Sequence, residues 1–400
     1  MWLVLALLGC TPTETPPTAE PAPAAEPAPS AAEPVAKPGP ADEQLERTWE
    51  AELAEVDRRI DYFEQRIELK GEDALALKQI VSLLLDRAQL TGSYDDYARA
   101  DAVVQAEFAK SEAAANGPHA SAFAVDMALH RYASAKEHLA FVNPSAGPQA
   151  QLDFALGNYE AAGEVFERMA KSDRPIYVAR LAIYRWKVGD LDGADELLAQ
   201  AAEDYHGRFH RPDAWYQLHR GIMDLERDQL HDAMAHYIAA KGELDGYWLI
   251  DEHIAEIHLL QGNLDKARSM YEDLVERTGN PEFMDRLAET LEQQGHDAEA
   301  EAMVAKARAA YEERLERFPE ATWGHAIDHW LAWGDPAEAL DMARKNAANR
   351  PNGDAKLALV QALMKAGELG EARTLMKEIQ ASPFAVPEVA AVAEELKKAK

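Results

Sequence analysis

Between residues 71 and 388 the polar and apolar positions of the chain repeat themselves. A glycine and a polar residue are followed by alanine five positions after the glycine, and an apolar residue often stands four positions beyond that. The steps begin at Gly157, Gly189, Gly262, Gly295, Gly334 and Gly367, with Asp228 filling one slot without glycine. The alanines are Ala162, Ala194, Ala233, Ala267, Ala300, Ala339 and Ala372. Residues four apart share one face of a helix, so Phe166, Leu198, Tyr237, Tyr271, Val304 and Met376 pack on the same side as the alanine before them. Glycine ends a first helix because it takes the left-handed conformation without steric cost. Asn158, Asp190, Asn263 and Asp335 then stand where an N-cap of the second helix belongs. Units close near Pro175, Pro212, Pro281, Pro351 and Pro383.

The seven anchors step by 32, 39, 34, 33, 39 and 33 residues. That period, with a small residue where two helices cross, resembles the tetratricopeptide repeat. Trp323, Ala326 and Trp330 match the large–small–aromatic pattern of that family's first helix. Two weaker units precede the seven, one around Gly92 and Tyr94, the other around Arg131, Tyr132 and Ala135. The resemblance implies an all-α solenoid of helix pairs over 71–388, with a leading helix at 42–70 and a capping helix at 389–400. It also implies a concave groove lined by first helices. Counting back from the anchors puts Glu252, Glu256, Asp285, Glu289, Glu292 and Asp328 on that groove, with Ile183 and Trp186 forming an apolar stretch earlier in the array. Trp215 and Leu218 follow Trp186 less clearly, because a 39-residue step blurs the register. Such a groove suits a basic or amphipathic segment; the alternative is that these carboxylates form a solvated face.

The amino terminus has a different pattern. Residues 1–9 are an apolar run too short to span a bilayer, ending at Cys10. Leu7, Leu8, Gly9 and Cys10 resemble the lipobox of bacterial lipoproteins, which implies cleavage before Cys10 and lipid attachment to its thiol. Thr11 lacks the aspartate that marks inner-membrane retention in enterobacterial lipoproteins, so the resemblance implies the outer membrane, facing the periplasm. Residues 11–41 contain ten prolines and no aromatic residue, a composition that cannot bury enough apolar surface to fold. Residues 10–41 therefore form a disordered Pro/Ala/Glu-rich tether that holds the array away from the bilayer.

Composition narrows the chemistry. Seventy-one acidic residues against 41 basic ones give a net charge of −30, which opposes phosphate backbones and excludes nucleic acid as the expected partner. The single cysteine cannot form an internal disulfide. No phosphate-binding Gly-rich loop and no nucleophile elbow is present, so no enzymatic activity and no cofactor is expected. His253 and His258 are five apart and point about 140° away from each other on a helix, too far round to share one metal ion. His325 and His329, four apart, are the weak metal candidates.

The leading expectation is a non-enzymatic adaptor at the cell envelope that binds other envelope proteins, with a lipid anchor in the membrane. Two alternatives stand beside it: a tethered spacer or self-assembling array without a specific client, and a metal-binding protein using His325 and His329.

Overall fold

The computed structural model describes residues 45–70, 73–111, 113–142 and 146–399. The expected signal peptide, Cys10, the expected tether and residues 42–44 of the expected leading helix lie outside the described residues. Among the described residues there are twenty α-helices and one isolated β-bridge, Thr48 to Asp245. No helix among them is long and apolar enough to cross a membrane.

Helix α1 (Trp49–Lys70) leads, and nine helix pairs come after it. The first two are α2 (Ala74–Thr91) with α3 (Tyr94–Lys110) and α4 (His119–Ala128) with α5 (Tyr132–Leu139). Next come α6 (Ala146–Ala155) with α7 (Tyr159–Ala170), α8 (Pro175–Lys187) with α9 (Leu191–Asp204), and α10 (Arg211–Glu226) with α11 (Leu230–Glu243). Then α12 (Trp248–Leu260) pairs with α13 (Leu264–Thr278) and α14 (Pro281–Gln293) with α15 (Asp297–Arg317). The last pairs are α16 (Pro319–Trp333) with α17 (Pro336–Asn349) and α18 (Gly353–Lys365) with α19 (Leu369–Gln380), before α20 (Pro387–Lys398). Each first helix packs on its own partner, and each second helix on the next pair. The described residues thus form an all-α solenoid of tetratricopeptide-like units.

The repeat positions do what their chemistry requires. All seven alanines after the anchors are buried at 0–1% exposure, leaving no room for a longer side chain at the crossing. Asp228 turns left-handed like the glycines, with φ 61°. Gly334 differs: its backbone is extended (φ −109°), and an added Cβ would meet Trp330, so close packing rather than handedness requires glycine there. Asp190 and Asp335 cap α9 and α17 through Gly193 N–H and Ala337 N–H, whereas Asn158 and Asn263 make no side-chain cap. Several prolines begin the next helix at its first turn, as Pro175, Pro281 and Pro387 do. Val304 is only half-buried; Ala307 and Tyr311, further along the longer α15, take the core positions instead.

The solenoid also folds back on itself. Trp248 donates its indole N–H to Leu90 O at 3.0 Å. Arg211 bonds Asp86 and Gln89, and Arg317 pairs with Asp95 at 2.6 Å. Asn349 donates to His130 O, Asn352 to Ala155 O, and Gly353 N–H to Tyr159 Oη. Lys187 pairs with Asp354 at 2.8 Å while Ala385 N–H donates to Lys187 O. Units one to four are thereby stacked on units five to nine across 122 to 222 residues of sequence.

Candidate functional site

The first helices of units six, seven and eight (α12, α14 and α16) line a cleft of about 430 Å³. On α12, Glu252 and Glu256 are one turn apart and so share a face. The same spacing repeats on α14, where Asp285 and Glu289 are followed by Glu292, while α16 contributes Asp328. The six acidic residues aligned by counting back from the anchors therefore border one space. Glu282, Arg286, His253, His325, Tyr311 and Trp333 complete most of its lining. Counting from the anchors missed these six. The histidines carry no periodic signal of their own, and Glu282 lies at the start of α14, where acidic residues are common for other reasons.

Carboxylates and histidines interleave inside the cleft. His329, fully buried, holds Asp285 at 2.8 Å, and His325 lies 3.1 Å from Glu282. On α12, His253 Nδ1 sits 3.3 Å from Glu252 and 3.4 Å from Glu256. Burial pushes the Glu282 carboxyl up, but the charge and hydrogen bond of His325, with Arg314, outweigh it and hold the group at about 2. Burial raises Asp285 above its ordinary range despite the His329 contact. Burial also raises Glu252; it would lower His253, but the two flanking carboxylates reverse that and favour the charged ring.

The mouth is more open. Glu292 and Asp328 are exposed, and Glu289 is half-buried against Arg286 at 3.0 Å. Trp333 donates its indole N–H to Glu292 at 3.1 Å, holding the carboxylate over the opening.

The expected apolar stretch does not line this space. Trp186 is fully buried in the main core, with its indole bonded to Glu226 at 2.7 Å, and Ile183 packs half-buried beside it. Trp215 and Leu218 are buried too. His325 and His329 each contact a different carboxylate of α14 and belong to neither of the two clusters, among the described residues, where three ligand atoms converge. His258 lies away from His253, on an outer surface beside Asn263 and His296.

No protein-family model and no curated protein matches the chain. Among solved structures, the human IFIT1 dimer with m7Gppp-AAAA is similar at a TM-score of 0.44 and 14% identity, over 86% of this chain and 85% of that one. Yeast Tom70 gives 0.36 and 16%, over 86% and 92%. Naa15/Naa10 bound to HypK-THB gives 0.30 and 15%, over 84% and 63%. Likenesses of this degree carry no ligand across, so the reading of the cleft rests on its own residues.

Proposed function

We propose that this protein is a non-catalytic interaction scaffold whose cleft between α12, α14 and α16 takes a basic segment of a partner protein. The observation that carries this reading is the lining, seven carboxylates against one guanidinium, Arg286. Several of them are committed to histidines inside, but Glu292 and Asp328 stand exposed at the mouth, where a lysine or arginine side chain would reach them. Exposed pairs contribute little in water, so the gain comes from a segment that also covers Trp333 and excludes solvent. The same charge opposes a phosphate backbone. We further propose, from the lipobox-like sequence, that Cys10 carries a lipid and that residues 11–41 tether the array at the cell envelope, at the outer membrane in this reading.

The test is affinity capture from solubilised envelope with the Cys10→Ser chain. Partners should be enriched and then lost with Glu292→Lys plus Asp328→Lys, but kept with Glu276→Lys on the outer helix α13. The mouth residues are the right targets because Glu256 is tied into an internal ion network whose reversal would disturb folding. Recovery of the bait alone would sink the adaptor reading and favour a spacer or self-assembling array. For the anchor, the native chain should enter the detergent phase on Triton X-114 separation and the Cys10→Ser chain the aqueous phase.

A further inference from the structure

Helix α12 brings three potential metal ligands together at the inner end of the cleft. Glu252, His253 and Glu256 each offer one ligand atom, a carboxylate oxygen or a ring nitrogen, and these atoms lie within 4.8 Å of one another. The ring nitrogen is 3.3 Å from one oxygen and 3.4 Å from the other. A tetrahedral zinc ion with bonds of about 2.0–2.1 Å separates its ligand atoms by about 3.3–3.4 Å, so both edges already have that length. The His253 ring is fixed by stacking on Tyr237, at 5.3 Å and 21°.

The protein's own groups do not satisfy this arrangement. Glu252 is 6% exposed and its Oε2, aimed into the cluster, has no hydrogen-bond partner. A single Nδ1–H can point at only one of the two carboxylates. A buried anionic oxygen left in that state is costly. A divalent cation would balance both carboxylates and accept the imidazole lone pair in one step.

We infer that Glu252, His253 and Glu256 form a binding site for a divalent transition-metal ion of the zinc class, with its remaining position facing the cleft. The two readings share the cleft but are tested on different residues, the metal at His253 and Glu256 and the basic segment at Glu292 and Asp328 on the mouth, so the failure of one is distinguishable from the failure of the other. The other converging trio, His210, Asp213 and Glu243, is a weaker candidate. His210 Nε2 already bonds Leu45 O, and Glu243 pairs with Arg47 at 2.8 Å.

The experiment uses the full chain with Cys10→Ser, which removes the thiol as a competing ligand, after chelator treatment. Calorimetric titration with Zn²⁺ should saturate at one ion per chain, and Co²⁺ should develop the visible bands of a tetrahedral site. Glu256→Gln, which keeps the side-chain shape, should weaken Zn²⁺ more than about tenfold, and His253→Gln likewise. Asp213→Asn and His325→Gln should leave it unchanged. If His253→Gln fails to fold, Glu256→Gln alone decides. Absence of saturable binding, affinity indifferent to Glu256→Gln, or loss with Asp213→Asn would each overturn the assignment.

Discussion

A histidine deep in an apolar core must stay neutral, and His219 therefore becomes a liability in acid. Its ring is 2% exposed, lies 3.8 Å from the Trp215 ring and bonds Trp215 O at 2.9 Å. Burial dominates and holds its pKa at about 3, although the bond to Trp215 opposes the shift. The unfolded chain takes up that proton near pH 6.5, so the stability this group supports is fully present above pH 6.5. It is lost as pH falls toward 3, by about 3 kcal/mol at pH 4. Urea unfolding at pH 7 and pH 4 checks this: His219→Phe should lose about 3 kcal/mol less than the native chain between the two, and equal losses would contradict it. Such a residue is invisible to periodicity, which reports that position 219 is on a helix but not how deep. The cleft shows the same limit. Glu256, Glu289 and Asp328 all stand six residues before an anchor, are half-buried or exposed and border the cleft, whereas Ile183 at the same position packs half-buried against the main core. Trp186 and Glu292 stand three before one, about 60° round the helix, on the boundary between groove and core. There chemistry decides: the indole turns inward to Glu226, while the carboxylate stays in water.

At the scale of helices, the repeat was legible because each boundary depends on local residues, though equal spacings hide different causes. Both 39-residue steps exceed the usual period. From Gly189 to Asp228 the excess comes from residues 205–210 and from a 16-residue α10; from Gly295 to Gly334 it comes from a 21-residue α15. Nothing in the count tells a loop from an extra turn. Capping separates in the same way. Asp335 accepts from Ala337 N–H at 2.9 Å, whereas Asn158 bonds Asp153 instead. Asp335→Ala should therefore destabilise the protein by about 1 kcal/mol, with Asn158→Ala within about 0.5 kcal/mol of the native chain. Chemical denaturation of the two variants side by side tests the contrast, and equal effects would contradict it.

Across the whole molecule, the stacking of units one to four on units five to nine had no trace in the repeat pattern. It is made by side chains and turns more than a hundred residues apart, each locally ordinary. Two glycines of the same motif report on it. Gly157 and Gly262 both have positive φ, 81° and 72°. A Cβ on Gly262 meets nothing within 4 Å, but on Gly157 it would lie 2.9 Å from Asn352 Cα and from Pro351 O in the overlying coil. Gly262→Ala should cost about 1 kcal/mol from backbone strain alone, and Gly157→Ala at least about 2 kcal/mol, because there the coils must part as well. Thermal melts of both variants give the comparison, and similar losses would show that the coils do not constrain one another. The stacking also changes how the chain carries load. An open solenoid stretches like a spring, each joint between neighbouring units yielding slightly. With Lys187 pinned to Asp354, Asn352 to Ala155 and Trp248 to Leu90, neighbouring coils cannot separate until those ties break. Pulled from its ends, the array should stay stiff, then yield abruptly, and only afterwards become elastic.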